Sequence, residues 1–482
     1  MKKHIRNAAW SCLMLATGHS FAAGEARNII FFLGDGMGPT TVTASRIYKY
    51  GEAGKLAMET LPRTARIKTY SLDAQTTDSA PSMAAYMTGV KSRNEVLSMN
   101  GETRPVAPSK DASVTPAVSN ALNNCPATGN GAAAQTILEL AIANGKSTGV
   151  VTTARLTHAT PAATYAHVCH RNAEYEIARQ ATPGGAGFNP ALGKGVDVLM
   201  GGVSYFWRPF NATTNTRGRP DGRDLVGEMQ GKGYRFASDL ASMNAVPAVS
   251  GGKLLALFDF AVPEGHMSYD LDRDPAREPS LAQMTSKAID LLSKNGAGYF
   301  LMVEGGRIDH ALHGTNAARA LADTIAFDDA IQAALTKVDL SNTLVVVTAD
   351  HDHTLAFNGY SSKGNPILGK TDNFQTPGVS ARAADGKPYT TLVFGNGSGN
   401  GSVTTNGGAT RQAVRDDVTN VDTTHKDYNQ QIGVQLAGTS AGGETHGSGD
   451  VMLFAAGAGR TGLKGTLDNT AVFGQLKSAF GF

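Results

Sequence analysis

The stretch LVVVTADHDHT, residues 344–354, runs an apolar β-branched segment directly into Asp350, His351, Asp352 and His353. A run of this composition reads as a strand buried on both faces, as in a parallel sheet covered by helices. Ligands of open α/β sheets gather at the carboxyl ends of such strands. Four side chains able to bind protons or metals at one strand tip raise the question of whether other strands end the same way.

Three further segments do. The strand in RNIIFFLGDGMG ends at Asp35, and the strand at 298–304 ends in Glu304, followed closely by Asp309, His310 and His313. GGETHGSGD places His446 just before a strand at 450–457. Six histidines (158, 310, 313, 351, 353 and 446) fall in these tips or in TTARLTHAT, a clustering that scattered surface histidines would not give. Asp309 and His313 are four residues apart, so one helical turn can aim both at one ion. With His446 they make three ligands and an open position, the pattern of catalytic zinc, and Asp350 with His351 offers a second set. Any one Asp-His pair alone is more often a cap or surface pair; four such tips in one sheet are not.

Strands at 147–154, 196–202, 253–260, 298–306, 342–350, 389–397 and 450–457 alternate with helical stretches, among them 280–294 and 315–337. The alternation predicts an α/β fold with a doubly wound, mostly parallel central sheet flanked by helices. From about 355 to 445 the rhythm breaks into Gly, Ser, Thr and Asn, as in NGSGNGSVTTNGG, and this segment reads as an insertion with some strand content.

Residues 1–22 read as a signal peptide: a basic MKKHIR, a short apolar run and small residues before the cleavage point. Export to the periplasm or outside the cell is therefore expected. Removing Lys2, Lys3 and Arg6 takes the formal net charge from +2 to −1, which leaves no polybasic surface for a nucleic-acid partner. No later segment has the apolar length of a membrane span. Cys125 and Cys169 remain, and in an oxidising compartment they read as a disulfide, the alternative being two buried thiols.

Ser79 in TTDSAPS is the candidate nucleophile, placed at a helix start where free N–H groups favour an anion. Its bland alternative is an N-cap serine. Arg171 in YAHVCHRN is a candidate phosphate clamp, because a guanidinium fork matches two phosphoryl oxygens.

The ordered set GDGMG, TTDSAPSMAAYMTG, ARLTHATPAATYAHV, VEGGRIDHALH, TADHDHT and ETHGSGDV resembles the alkaline phosphatase family, from about residue 27 to the C-terminus. The resemblance implies a homodimeric, metal-dependent phosphomonoesterase working through a phosphoserine, with two zinc ions and one magnesium ion. It makes Ser79 the nucleophile and Arg171 the clamp, with Asp78 positioning the arginine. It gives Asp309, His313 and His446 to the first zinc, and Asp35, Asp350 and His351 to the second. The magnesium falls to Asp35, Thr160 and Glu304, and His353 supports the ligands from outside. His158 and His310 stand where the best-studied bacterial pattern has aspartate and lysine. They resemble the vertebrate branch, as does the insertion, which occupies the place of that branch's crown. Imidazole favours softer ions, so zinc or cobalt competes with magnesium for the third position. His310 then lies beside the substrate phosphate. Trimming about 395–410 is expected to spare zinc binding.

Rival readings are a sulfatase or phosphodiesterase on the same fold, or a non-catalytic exported metal-binding protein. Ser79-Ala-Pro81-Ser-Met83 imitates the sulfatase motif but carries Met83 where arginine is required.

Overall fold

In the computed structural model, residues 26–111, 118–119, 123–261, 264–397, 401–402, 405–406, 409–410, 414–436 and 443–482 are described. The expected signal peptide at 1–22 lies outside them.

Ten strands make the main sheet: Asn28–Gly34 (β1), Arg63–Lys68 (β2), Ser147–Arg155 (β3), Val198–Gly202 (β4), Tyr234–Ala237 (β5), Lys253–Phe258 (β6), Tyr299–Gly305 (β7), Thr343–Ala349 (β8), Val451–Gly457 (β9) and Gly465–Asp468 (β10). They lie in the order β10-β2-β9-β8-β1-β7-β3-β4-β6-β5. β1, β7 and β8 are buried along their whole length, which their unbroken apolar sequences require: such strands have no face to give to water. Pro39–Tyr50 (α1), Leu281–Leu292 (α4), Arg307–His313 (α5) and Ala317–Lys337 (α6) pack together. Ser79–Thr88 (α2), Ile137–Ala143 (α3) and Asn469–Phe480 (α7) form a second group. The doubly wound α/β architecture is the one expected.

Register places the chemistry. Gly34 on β1 is level with Ala349 on β8 and Gly305 on β7, so Asp35 and Asp350 leave the sheet side by side. Glu304 lies one residue further in, beside Leu33 on β1 and Thr152 on β3. β9 alone runs antiparallel to both neighbours. Its beginning, with His446 just upstream, therefore lies at the edge where β1, β7 and β8 end; a parallel strand would have carried His446 to the opposite end.

Two sequence expectations need correction. The segment at 389–397 does not join the main sheet: Leu392–Gly397 pairs with Leu355–Phe357 and Ile432–Gln435 in a separate three-stranded sheet. Leu392 and Phe394 are buried while Gly395 is exposed, the one-faced pattern of a sheet covered on a single side. β2, β5 and β10 went unread because they are short and carry charged or polar residues, as in RTARIK. The segment between 353 and 446 leaves and returns through one antiparallel ladder, with His353 opposite His446.

Cys125 and Cys169 form a disulfide across a sequence separation of 44. Closing such a loop stabilises the fold by about 4 kcal/mol in the chain-entropy account. Cys125→Ser is therefore expected to lower the denaturant midpoint and to steepen the slope, because the unbridged unfolded chain exposes more surface, and a midpoint equal to wild type would contradict this. Among the described residues no helix is long and apolar enough to cross a membrane.

Candidate active site

Ser79 is the first residue of α2 and is almost fully buried. The N-cap is Asp78, whose side chain makes no capping bond. The reading of Ser79 as a cap is thus set aside. Its Oγ lies 3.3 Å from Asp35 Oδ1 and 3.2 Å from His351 Nε2.

Around it the carboxylates and imidazoles fall into overlapping sets whose donor atoms lie within 4.8 Å of one another. One is Asp35, Asp350 and His351; another is Asp35, His158 and Glu304; a third joins Asp309 and His446 to His351 and His353. His313 completes this last region, its Nε2 3.3 Å from Asp309 Oδ1 across one turn of α5. Thr160 Oγ1 is 3.4 Å from Asp35 Oδ2, placing the hydroxyl beside the Asp35–Glu304 pair. Gly36 supports this crowding. Its φ is +64°, and a Cβ there would meet His353 Nε2 at 2.5 Å, so no other residue fits the turn after Asp35.

The tautomers are fixed from outside. His313 Nδ1–H donates to the Glu444 carbonyl at 2.6 Å, His446 Nδ1–H to the Thr77 carbonyl at 2.9 Å, and His351 Nδ1–H to the Asp352 carbonyl at 3.2 Å. Each Nε2 is thereby left as a bare lone pair. His313 Nε2 and His446 Nε2 nevertheless face each other at 3.0 Å, with Asp309 Oδ1 3.5 Å from the latter. Acceptors converge here with no donor between them, an arrangement that a cation satisfies. Asp350 Oδ2, Glu304 Oε1 and His158 Nδ1 are buried without a hydrogen-bond partner, which fits the same reading. The donor set of nitrogen and carboxylate oxygen suits zinc at the His-rich end, while Asp35, Glu304 and Thr160 offer hard oxygens.

His353 is different, although it lies within ligand distance. Its Nε2–H donates to Asp309 at 2.8 Å and its Nδ1–H to Glu444 at 2.5 Å, so both nitrogens are occupied. It is a bridge between carboxylates rather than a ligand. Burial disfavours its charge, but Glu444 and Asp309 outweigh this and raise its pKa to about 10.

Electrostatics carries the mark of an anionic cage. Burial, with Asp35 beside it, pushes Asp350 up to about 8, and burial raises Glu304 to about 8. Burial and the charges of Asp309 and Glu304 raise Asp35 as well. Asp309 departs from this trend: burial pushes it up, but His313, His353 and His446 outweigh that and hold it well below the usual carboxylate range.

On the other side of Ser79, Arg171 forms an ion pair with Asp78 Oδ1, and its second terminal nitrogen lies 3.1 Å from His158 Nε2. Glu95, held at φ +72°, donates its N–H to Asp78 Oδ2 at 2.8 Å and accepts the Arg171 N–H at 2.7 Å. The clamp is thus fixed from both its main chain and its side chain. His310 meets the His158 ring edge-to-face at 5.3 Å, and its Nδ1 is 3.1 Å from an Arg307 terminal nitrogen.

Every residue singled out in the sequence is thus at this one mouth, apart from the two cysteines that anchor the segment leading to Arg171. Several supporting residues here were not foreseen, Glu95 and Arg307 among them, and two more carry rings or carboxylates close to the ligands. His266 packs 4.1 Å from the His310 ring and 5.5 Å from the His158 ring, and its sequence neighbours gave no signal. Glu444 lies two residues before His446 in GGETHG, which was the available hint.

The mouth also reaches the second sheet. Asn396 donates to the Thr445 hydroxyl at 2.9 Å and accepts the Thr445 N–H at 3.0 Å, next to His446. A cut across 395–410 removes these bonds and is expected to lower metal retention, contrary to the expectation from composition. Removing only 403–413, between the paired segments Gly401–Ser402 and Val414–Arg415, is expected to spare it. Equal metal content in the two trimmed proteins would contradict this.

The family model for alkaline phosphatase matches residues 26–482. The chain belongs to the alkaline phosphatase family. It is 36% identical over 457 residues to the tissue-nonspecific alkaline phosphatase of Rattus norvegicus, covering 90% of this chain and 79% of the relative. It is also 36% identical to an alkaline phosphatase of Gadus morhua, over 90% of this chain and 87% of the relative. Among solved structures, the alkaline phosphatase of Thermus thermophilus shares the fold with a TM-score of 0.65 at 24% identity, covering 97% of this chain and 96% of the other. Family membership makes the chain a phosphomonoester hydrolase, and the clusters described above are its candidate metal sites.

Proposed function

We propose that the chain hydrolyses phosphate monoesters to alcohol and inorganic phosphate through a phosphoserine on Ser79. The observation that carries the reading is the placement of Ser79 Oγ within 3.3 Å of both Asp35 and His351, beside a cage of convergent acceptors. Asp309, His313 and His446 hold one zinc ion, and Asp35, Asp350 and His351 a second. Asp35, Thr160 and Glu304, with His158 alongside, hold magnesium. When bound, such cations stabilise oxyanions and lower the pKa of hydroxyl groups at the mouth. The Ser79 oxygen attacks phosphorus, the ester P–O bond breaks, and the alcohol leaves with a proton. Water then attacks the phosphoserine, the Ser79 P–O bond breaks, and phosphate is released. Arg171 presents its fork to two non-bridging phosphoryl oxygens, steadied by Asp78, and is most useful where charge develops in the transition state. His310 and His158 line the clamp side and adjust which ion the third site prefers.

The segment from about 355 to 445 is read as a crown-like insertion on a single catalytic domain. Assembly as a homodimer, and export to the periplasm or beyond, belong to the same proposal; the disulfide and the leader-like residues 1–22 support export.

Hydrolysis of a chromogenic phosphate monoester, the matching diester and the matching sulfate, each with and without chelator, tests the reading. The expected result is a chelator-sensitive preference for the monoester. Equal or better sulfate turnover, or hydrolysis indifferent to chelator, would contradict it.

A further inference from the structure

Glu444 lies outside every ligand set proposed above, although its carboxylate lies within 4.8 Å of His313 and His353 donor atoms; it bonds His313 directly and Asp309 through His353. Its side chain is fully enclosed. Oε2 accepts from His353 Nδ1–H at 2.5 Å, and His353 passes the contact to Asp309 Oδ1 at 2.8 Å. Oε1 accepts from the Thr354 N–H at 2.5 Å and from the Thr354 hydroxyl. Its main chain makes a reciprocal pair with His313: the Glu444 N–H donates to the His313 carbonyl at 2.9 Å, and the Glu444 carbonyl accepts His313 Nδ1–H at 2.6 Å. His446 follows two residues later and is aimed by the Thr77 carbonyl at 2.9 Å.

One residue therefore orients His313 through its backbone and Asp309 through His353, and ties both to the segment carrying His446. We infer that Glu444 is a positioning residue that sets the affinity and geometry of the zinc held by Asp309, His313 and His446; this rests on the metal reading proposed above. The physical reason is the enclosed His353 bridge. Two carboxylates bonded to the two nitrogens of one enclosed imidazole fix where Asp309 Oδ1 points, and the low-dielectric surroundings strengthen both contacts. Replacing Glu444 by glutamine puts amide hydrogens against His353 Nδ1–H or against the Thr354 donors, so either His353 gives up its Nδ1 proton or a contact breaks, and both weaken the hold on Asp309. Groups that orient metal ligands from outside are typically worth 10- to 100-fold in metal affinity.

The test uses full-length protein, stripped of metal and titrated with zinc against a chromophoric chelator, with cobalt substitution to report coordination geometry. Glu444→Gln is expected to weaken one zinc-binding step about 10- to 100-fold and to change the cobalt d–d absorption of that step, leaving the others unaltered. Such selectivity is what a general loss of packing would not produce. Thr354→Val removes the hydroxyl donor to Oε1 and one acceptor of the Gly395 N–H, which keeps its bond to the Thr354 carbonyl at 2.9 Å, and it is expected to weaken the same step by about 3- to 10-fold; it carries the test if Glu444→Gln folds poorly. All steps within threefold of wild type in both variants, with unchanged cobalt spectra, would overturn the inference while leaving the zinc site standing. Wild-type protein that takes up no zinc would overturn the metal reading itself, and this inference with it.

Discussion

Ser79→Ala is expected to cut phosphomonoester turnover by about a thousandfold or more, with the fold and the metal content intact. The serine contributes no capping bond and its hydroxyl touches only the mouth of the sheet, so its removal costs the structure little. The large effect comes from losing the atom that attacks phosphorus. Steady-state rates beside metal analysis check this. Full turnover in the alanine variant would remove Ser79 from the chemistry, whereas loss of turnover together with loss of metal would make it a structural residue.

Metal removal is the second large effect. Stripped protein is expected to lose at least about a thousandfold in rate, because several kcal/mol of charge stabilisation leaves with the ions and each 1.4 kcal/mol is tenfold. It should also acquire a pH-dependent stability. Burial raises Asp350 and Glu304 to about 8 in the metal-free protein, above their unfolded values near 4. The folded state then holds protons that the unfolded state gives up, so stability falls as pH rises from about 4 to about 8. Bound cations hold the same carboxylates ionised and should flatten this slope. Thermal midpoints of stripped and reloaded protein between pH 5 and pH 9 measure it. Parallel curves for the two forms would mean that these carboxylates do not face a cation.

Much of this site was legible because strands buried on both faces announce themselves. VVVTAD, FFLGD and FLMVEG each end an apolar run in a carboxylate, and sheet register then brings the three together without further information. What periodicity did not carry was direction. His446 belongs at the mouth only because β9 is antiparallel, and nothing in DVMLFAAG states which way that strand runs. Roles assigned by motif needed the family resemblance; physical reading alone left Ser79 with the alternative of a cap and Arg171 as no more than a candidate clamp. The supporting contacts were hidden for a simpler reason. Thr77, Asp352 and Glu444 orient imidazoles through main-chain carbonyls, which every residue possesses and no sequence pattern marks. The edge strands β5 and β10, and β2 beside β10, were lost to their polar residues, and Leu392–Gly397 was drawn into the wrong sheet because an apolar strand reads alike in either.

The most direct measurement is to mix enzyme with inorganic phosphate or a phosphate monoester, quench in acid, digest, and map the phosphate by mass spectrometry. The account predicts a phosphorylated peptide containing Ser79, present in wild type and absent from Ser79→Ala. Phosphate on another residue, or rapid turnover with no phosphopeptide trapped at any pH of quench, would contradict it.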